Sequence, residues 1–437
     1  MSRSTLSTST AYRPEPSSAA GPTSSAAADP GRVTALDALR GFDMFWIVGG
    51  RDVVLTLVAL LAVALPAAWV TWLSAAVDWG WLRTQMEHVD WEGFSAWDMI
   101  MPLFLFVVGA SMPFAFAKRL EQGQSKFSMY GRIFRRVMML WFLGMIAQGN
   151  LLHFDRWLPQ VSDSLNVKQF HLHPFSNTLQ AIAVGYLVAS IVLLHFPKIA
   201  QVIVALVLLL AYWLVLLFVS IPDVGAGILD PEQNIARYVD QLLLGRFCDG
   251  TTYTWILSGL GFAGTVLLGA FAGHILRSQK WGGLMKVLWL VLLGAALVAV
   301  GLLWGGQIDF RFEITLVGSW ACPINKHIWS SSMVLYSGGW CCLLLAGFYL
   351  VFDVMRLRWL AYPMTIIGVN AIFAYMAWKL IPFDVISEMW VGGLAKHLRT
   401  LGSPWPEVAA FLVPFTALSV LWMVLLYMHR KGTYLRV

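Results

Sequence analysis

Long apolar runs alternate with short polar gaps along most of this chain. A helix needs about 20 mainly apolar residues to cross the hydrocarbon core of a bilayer. We expect a transmembrane helix in each of ten runs: 41–64, 98–117, 133–152, 177–196, 199–221, 254–276, 284–304, 330–352, 362–382 and 408–428. The pattern therefore predicts an all-α, polytopic membrane helix bundle with about ten transmembrane helices.

The stretch 65–82 is also apolar, but its composition differs from that of the ten runs. It contains Pro66, Asp78 and four Trp residues. Because Trp favours the boundary between lipid and water, we expect an interfacial segment here and not an eleventh span.

Charged residues are rare in the chain as a whole. They make up 12% of it, while hydrophobic residues make up 58%. A typical soluble domain carries about 25% charged residues, so this chain has too little polar surface for a globule in water. The four cysteines show no CxxC spacing, and the sequence predicts neither a disulfide framework nor a metal site.

The basic residues indicate how the spans are oriented. The net charge is +6, from 30 Lys and Arg against 24 Asp and Glu, a balance that also occurs in nucleic-acid-binding proteins. Here most Lys and Arg lie in alternate gaps between the runs, and Lys and Arg are enriched in cytoplasmic loops. This placement predicts that both termini are cytoplasmic, and it argues against nucleic acid as a partner.

The chain also has residues before the first run and after the last one. Residues 1–32 are rich in Ser, Thr, Ala and Pro and contain no apolar segment of the kind that a signal peptide has. Such a segment cannot bury enough apolar surface to fold. We expect a disordered cytoplasmic tail at 1–32, a transmembrane domain at 33–430 and a short cytoplasmic tail at 431–437.

His88 is the polar residue that most strongly suggests chemistry. It comes just before the second run, with carboxylates close in sequence at Glu87, Asp90, Glu92 and Asp98. A nearby carboxylate can orient an imidazole and raise its basicity, as a general base or a nucleophile requires. The alternative is a solvated loop histidine in an acidic, Trp-rich interface, and the pattern alone leaves both interpretations open.

A second polar string, Asn325-Lys326-His327-Ile328-Trp329-Ser330, lies at the outer end of the eighth run. Asn and Lys side chains together can hold a sugar hydroxyl or a carbonyl oxygen. Alternatively, Lys326 extends to the membrane surface beside Trp329 and has no ligand.

The inner loop 118–136 is strongly basic and includes Arg132, Arg135 and Arg136. Arg binds phosphate through a planar, bidentate guanidinium group, so this loop could recognise a phosphorylated ligand. The enrichment of basic residues in cytoplasmic loops explains the same charges without a ligand.

A few polar residues at or inside the spans predict contacts within the bundle. Asp37 and Arg40 are three positions apart and are expected to pair on one helix face. Asn177 and His274 are candidates for hydrogen bonds between helices.

The motifs that the sequence lacks also narrow the function. It contains no Walker A loop, no GxSxG string and no HExxH string. With no long hydrophilic domain either, ATP-driven transport and catalysis by a soluble domain are not expected.

Several segments together resemble the heparan-α-glucosaminide N-acetyltransferase family and its bacterial relatives. In the order of that family they are LDALRGFDMFWIVGG (36–50), HVDWEGFSAWDMIMPLFLFVVGASM (88–112), LQAIAVGYL (179–187), NIARYVDQLLLG (234–245), LLGAFAGHIL (267–276) and PINKHIWSSS (323–332). The string beginning at His88 and the Asn-Lys-x-x-Trp-Ser string are specific when they occur together. The resemblance extends over nearly all of residues 33–430.

The resemblance implies a transmembrane acyltransferase. Such an enzyme moves an acetyl group from cytoplasmic acetyl-CoA to an amino sugar, another glycan or a glycolipid on the outer side of the membrane. The family's active-site histidine corresponds to His88, and we expect Asp98 or Glu92 to orient its ring. The expected location is a bacterial cytoplasmic membrane, in contact with its lipids, and the resemblance is compatible with a homodimer.

The other site residues follow from the same resemblance. The family's second string corresponds to Asn325, Lys326, Trp329 and Ser330. We expect Asn325 and Lys326 to bind the acceptor or stabilise an oxyanion, and Trp329 and Glu92 to contribute to the acceptor site. We expect the phosphates of acetyl-CoA near Arg132, Arg135 and Arg136.

A different hypothesis is a non-catalytic or transport protein on the same scaffold, exporting a sugar or lipid intermediate. It is motivated by Arg51, which stands where an ungapped comparison places an asparagine of the family. This hypothesis predicts no binding of CoA.

Overall fold

A computed structural model describes residues 33–66, 79–149, 160–161, 168–169, 173–306 and 321–435 of the chain. The expected tail at 1–32 and most of the apolar stretch 65–82 lie outside these residues. The described part is helical except for one antiparallel pair of two-residue strands, β1 (Gln160–Val161) and β2 (Lys168–Gln169).

The described part contains fifteen α-helices. They are α1 (Thr34–Phe45), α2 (Arg51–Ala64), α3 (Trp79–Gln85), α4 (Ile100–Glu121), α5 (Lys126–Ala147), α6 (Thr178–His195), α7 (Lys198–Phe218), α8 (Ile235–Leu244), α9 (Ser258–Arg277), α10 (Gly283–Trp304), α11 (Ser331–Tyr349), α12 (Arg358–Val369), α13 (Ala371–Leu380), α14 (Phe383–Leu398) and α15 (Trp405–Arg430). Wider π-helical turns at Trp46–Gly50 and Leu350–Val354 follow α1 and α11, and a 3-10 turn at Trp97–Met99 leads into α4.

In the described residues, eight helical stretches are long and apolar enough to cross a membrane. They are Thr34–Ala64, Trp97–Glu121, Thr178–His195, Lys198–Phe218, Ser258–Arg277, Gly283–Trp304, Ser331–Val354 and Trp405–Arg430. Helices α12 and α13, bent by 62° at Asn370, make a ninth if they form one broken span. The chain is therefore an integral membrane helix bundle, as the apolar runs predict.

The remaining expected span, 133–152, falls on α5, which is not among the eight stretches. The second half of α5 is apolar, but Arg132, Arg135 and Arg136 lie in its first half. The three arginines leave too short an uncharged stretch for α5 to qualify by composition.

Glycine residues allow the central helices to touch through their backbones. A Cβ atom built on Gly109 of α4 would lie 1.9 Å from a carbonyl oxygen of α9, and one on Gly269 of α9 would lie 2.0 Å from a carbonyl oxygen of α4. Gly41 and Gly368 make the same close approach between α1 and α12. Small residues at helix crossings are typical of membrane bundles, where close packing stabilises helix association. These two crossings hold α4 and α1, the helices that carry the candidate site.

Polar side chains add hydrogen bonds between helices, as the sequence predicts. The Asn177 side chain donates to the carbonyl oxygen of Gly144 in α5 at 2.6 Å and also caps α6. Nε2 of His274 in α9 lies 3.3 Å from Oε1 of Gln201 in α7. The Asp37 and Arg40 side chains pair at 3.6 Å.

Candidate active site

His88 and Asp98 form a hydrogen-bonded pair at one end of α4. His88 lies in the loop after α3, and Asp98 lies in the 3-10 turn that opens α4. Nδ1 of His88 is 2.7 Å from Oδ1 of Asp98. A carboxylate can only accept, so the Nδ1–H of His88 donates to Asp98, and in the neutral ring Nε2 has the lone pair. The His88 side chain is 50% exposed, and its free nitrogen can therefore meet a substrate.

The Asp98 carboxylate is buried, and the polar groups around it fix its position. Its second oxygen, Oδ2, accepts from the backbone N–H groups of Ser95 at 3.1 Å and Val89 at 3.4 Å. Oγ of Ser95 lies 3.0 Å from the same oxygen and also accepts from the Asp98 N–H at 3.3 Å. This reciprocal arrangement resembles the capping box that starts many helices. It leaves Asp98 little freedom to turn away from His88.

Lys326 brings a second loop to this pair. Its Nζ atom donates to Oδ1 of Asp98 at 3.0 Å and lies 3.2 Å from Nδ1 of His88. Burial lowers the pKa of Lys326, and the negative charge of Asp98 opposes that shift. The ammonium group of Lys326 balances the charge of the buried carboxylate. We call His88, Asp98 and Lys326 the triad.

Asn325 and Ser330 shape the loop that carries Lys326. Oδ1 of Asn325 accepts from the N–H groups of His327 at 2.8 Å and Ile328 at 3.2 Å. Oγ of Ser330 accepts from the Asn325 N–H at 3.1 Å, and the same side chain caps α11. Asn325 is 1% exposed. The structure therefore places Asn325 behind the triad, as a support for the loop.

Trp329 anchors the same loop in the bundle. It is 1% exposed, and its Nε1–H donates to Oγ1 of Thr265 in α9 at 3.1 Å. Its backbone has a φ of 51°, a left-handed conformation that is rare for a large residue. The buried indole therefore fixes the conformation of this turn.

Direct contacts hold the two loops together. The Gly93 N–H donates to the carbonyl oxygen of Ile324 at 2.8 Å. The His327 ring stacks on Tyr253 with centroids 4.4 Å apart, and burial lowers the pKa of His327. Burial, together with the charge of Asp98, raises the pKa of Tyr253 to about 12, so this ring is a neutral wall beside the triad.

Of the two carboxylates expected to orient His88, Asp98 makes the contact. Glu92 is exposed, and within the described part of the chain no hydrogen bond joins it to His88.

An aromatic cavity of about 440 Å³ adjoins the triad. Ser95 and Trp97 line its end beside Asp98, and Trp46, Tyr336 and Trp340 are among its other walls. The guanidinium group of Arg51 lies over the Trp97 ring, 5.1 Å from its centroid.

A second cavity, of about 360 Å³, contains three arginines. Arg40, Arg119 and Arg136 line it together with apolar side chains of α1, α4 and α6. We call it the arginine cavity. Arg136 lies over the ring of Tyr186 at 4.5 Å from its centroid, and its Nε is buried without a hydrogen-bond partner among the described residues.

The other two predicted arginines lie apart from this cavity. Arg132 forms a hydrogen bond with Gln124, and Arg135 is exposed. The structure thus brings Arg136 together with Arg119, which belongs to the predicted basic loop 118–136, and with Arg40, which was not predicted to bind a ligand.

The triad and the arginine cavity are separated along α4. Asp98 precedes the first residue of the helix, and Arg119 lies in its last turn. At 1.5 Å per residue the two are roughly 32 Å apart along the axis. Phe104, six residues after Asp98, also lines the arginine cavity, so along the axis of α4 this lining residue is roughly 9 Å from Asp98.

Comparison with known proteins adds to this geometry. No family model matches the sequence. Heparan-alpha-glucosaminide N-acetyltransferase of Homo sapiens is 26% identical over 345 residues, which cover 66% of this chain and 48% of that protein. The protein of the same name from Mus musculus is 25% identical over 345 residues, covering 68% of this chain and 49% of its own. The chain is a distant relative of the heparan-α-glucosaminide N-acetyltransferases.

This relationship confirms the resemblance in the sequence. The chain spans about half the length of the heparan-α-glucosaminide N-acetyltransferases that it matches. Of the strings that resemble this family, 88–112 contains His88 and Asp98, and 323–332 contains Lys326. The structure brings these two strings into contact at the triad.

Proposed function

We propose that this chain is a transmembrane acyltransferase. It moves an acetyl group from acetyl-CoA on the cytoplasmic side to an amino sugar or another glycan acceptor on the outer side. The observation that carries the proposal is the triad, in which a half-exposed imidazole is oriented by a buried carboxylate. The names of the two relatives support acetyl transfer as the reaction.

His88 acts as the general base in this proposal. Its Nε2 accepts a proton from the acceptor amine or hydroxyl while that group attacks the thioester carbonyl. The bond from carbon to sulfur then breaks, and the proton passes from His88 to the departing thiolate. Asp98 stabilises the imidazolium that forms in between and keeps Nε2 facing the acceptor. A covalent route, in which Nε2 carries the acetyl group itself, uses the same geometry.

Lys326 has an electrostatic role. Its ammonium group is already bound to Asp98, so we assign it to balancing the charge of the pair and holding the two loops together. We assign Asn325 and Trp329 a positioning role, because both support the loop that carries Lys326. The sequence had predicted that they contact the acceptor.

The arginine cavity fits the phosphate-bearing end of acetyl-CoA. Three arginines line it, and Nε of Arg136 is buried without a partner among the described residues. Such a donor is costly unless a ligand accepts its hydrogen bond. The apolar walls between Phe104 and Arg119 suit the less polar arm that carries the thioester. Bound there, acetyl-CoA would supply the activated acetyl group.

The proposed orientation follows from the charges. The arginines around the arginine cavity support a cytoplasmic position for that end of the bundle and an outer position for the triad, because Lys and Arg are enriched in cytoplasmic loops. If α5 is counted as a span and α12 and α13 as one broken span, the described residues supply ten crossings, and in the proposed topology both termini lie inside. We propose a bacterial cytoplasmic membrane as the location.

Two measurements test the proposal on the detergent-purified chain. Acetyl-CoA should raise the melting temperature, since a hundredfold excess over Kd stabilises the folded state by about 2.7 kcal/mol. Acetyl transfer to an amino sugar should be lost in His88→Ala and kept in His397→Ala, which changes an exposed histidine of α14. Unchanged transfer in His88→Ala would refute the assignment, and no stabilisation at millimolar acetyl-CoA would favour a non-catalytic or transport protein.

A further inference from the structure

The aromatic cavity is elongated along α11. Tyr336, Trp340 and Leu344 of that helix line it, and their spacing of four residues places the three side chains on one helix face. The first and the last are eight residues apart, which is roughly 12 Å along the helix axis. Each leaflet of a bilayer contributes about 15 Å, half of the hydrocarbon core. The cavity therefore extends over a depth close to that of one layer of lipid chains.

Apolar and aromatic side chains form most of the cavity wall. Phe42 of α1 and Leu103 of α4 face the residues of α11 across the cavity. Asp43 also belongs to the wall, but both of its carboxyl oxygens are buried, so a ligand in the cavity does not contact them. The described lining residues include no Lys, Arg or His. A charged group would be costly in such surroundings, whereas a hydrocarbon chain suits them.

The cavity wall is exposed beside Trp340. This side chain is 42% exposed, although it lies well inside Ser331–Val354, a stretch long and apolar enough to cross the membrane. At that depth the surroundings of a membrane bundle are lipid chains and not water. Trp81 of α3 also lines the cavity and is 59% exposed. The exposure at Trp340 gives a lipid chain a route into the cavity from within the bilayer.

One end of the cavity lies at the triad. Ser95 and Trp97 line this end. Oγ of Ser95 is 3.0 Å from Oδ2 of Asp98, and the centroids of the Trp97 and His88 rings are 6.3 Å apart. The polar head of a ligand whose chain fills the cavity therefore lies next to the half-exposed imidazole. This continuity with the triad favours a substrate over a structural lipid as the occupant.

We propose that the acceptor is a lipid-linked sugar whose hydrocarbon chain lies in the aromatic cavity. The inference rests on the proposed function and names the class of acceptor. The chain stays among apolar side chains when it leaves the bilayer, and the sugar lies within reach of Nε2 of His88. A sugar without a chain makes no contact with the cavity and binds more weakly.

The test compares the octyl and methyl glycosides of glucosamine, below the concentration at which the octyl compound forms micelles. The full chain is held in amphipol, because detergent chains would compete for the cavity. Thermal shifts without acetyl-CoA give the dissociation constants, since binding to the folded state raises the melting temperature. The octyl glycoside should bind at least tenfold more tightly, about the effect of two buried methylene groups. Equal affinity, or no binding of the octyl glycoside, would overturn the proposal.

Variants separate binding in the cavity from attraction to the amphipol. Leu344→Trp fills the end of the cavity away from the triad and should reduce the preference for the octyl chain severalfold. Leu288→Trp makes the same change at a residue of α10 that is 47% exposed, and it should keep the wild-type preference. Leu344→Ala lengthens the cavity and should shift the preference towards a dodecyl chain, which decides the matter if Leu344→Trp does not fold. A wild-type preference in both Leu344 variants would overturn the proposal.

Acetyl transfer separates this inference from the proposed function. Transfer to both glycosides with equal kcat/KM would keep the acyltransferase and refute the chain site. Chain-dependent binding without transfer to either glycoside would refute the acyltransferase and support the chain site alone.

Discussion

Nδ1 of His88 lies 2.7 Å from Oδ1 of Asp98, and this contact sets which ring nitrogen is free to react. A carboxylate at this position selects the tautomer with its proton on Nδ1. The arrangement predicts that the charge of Asp98, as well as its size, is needed for turnover.

Asp98→Asn should lower kcat for acetyl transfer by roughly three to four orders of magnitude, because an amide that donates to Nδ1 leaves the proton on Nε2. Affinity for acetyl-CoA should stay within a factor of about two. Steady-state kinetics and a thermal shift with acetyl-CoA measure the two effects. Wild-type kcat in Asp98→Asn would contradict the orienting role.

Lys326→Met should destabilise the fold, because Asp98 would be left buried without its cation. Breaking one partner of a buried ion pair costs about 3–5 kcal/mol, and the Lys326 and Asp98 side chains are 8% and 3% exposed. The double variant Asp98→Asn/Lys326→Met should recover much of the melting temperature but not the activity. A single variant as stable as the wild type would contradict this ion pair.

Arg119→Gln and Arg136→Gln should each weaken acetyl-CoA binding roughly tenfold, about the value of one charged hydrogen bond. Arg135→Gln is the matched control, because Arg135 lies nearby in α5 but is exposed. Thermal shifts over a range of acetyl-CoA concentrations give the affinities. A larger effect at Arg135 than at Arg136 would move the donor site from the arginine cavity to the surface of α5.

Gly109→Ala should separate α4 from α9, since its Cβ would lie 1.9 Å from a carbonyl oxygen. Overpacking of this kind costs about 1–3 kcal/mol, and activity should fall too because α4 carries Asp98. Gly393→Ala in α14 is the control, as no atom lies within 4 Å of its added Cβ. Equal melting temperatures for the two variants would show that the crossing is not tight.

The sequence predicts those parts of the site whose residues are close together along the chain. His88 and Asp98 lie ten positions apart in one string, so their pairing could be proposed from spacing. The role of Ser95 was missed, although Ser-Ala-Trp-Asp before an apolar run is the pattern of a capping box. With Ser95 recognised, Asp98 would have been preferred to Glu92 from the sequence alone.

The contacts between distant segments could not be predicted in this way. The string around Lys326 was predicted to belong to the site, but nothing in the order of its residues indicates that the ammonium group of Lys326 contacts Asp98. Arg40 and Arg119 lie in different helices from Arg136, and only the packing of α1 and α4 against α5 and α6 brings them to one cavity. Asp43 sits inside an apolar run, where hydropathy averages hide a single carboxylate.

The number of membrane spans could also be predicted only in part from the sequence. The lengths and hydropathies of the apolar runs identify the long helices, because both can be calculated from consecutive residues of the sequence. The bend at Asn370 and the wide turn at Trp46–Gly50 interrupt apolar runs without changing their composition. The arginines of α5, in contrast, make the composition of that segment more polar but do not end the helix.

The contact between Lys326 and Asp98 also sets an order for biosynthesis. The two residues are 228 positions apart, and chains grow at about 5–20 residues per second. Asp98 is therefore made roughly 11 to 46 s before its cation exists. During that interval the start of α4 must keep its carboxylate in water or hold it protonated. The ion pair between Lys326 and Asp98 can therefore form only after most of the nascent chain has been inserted into the membrane.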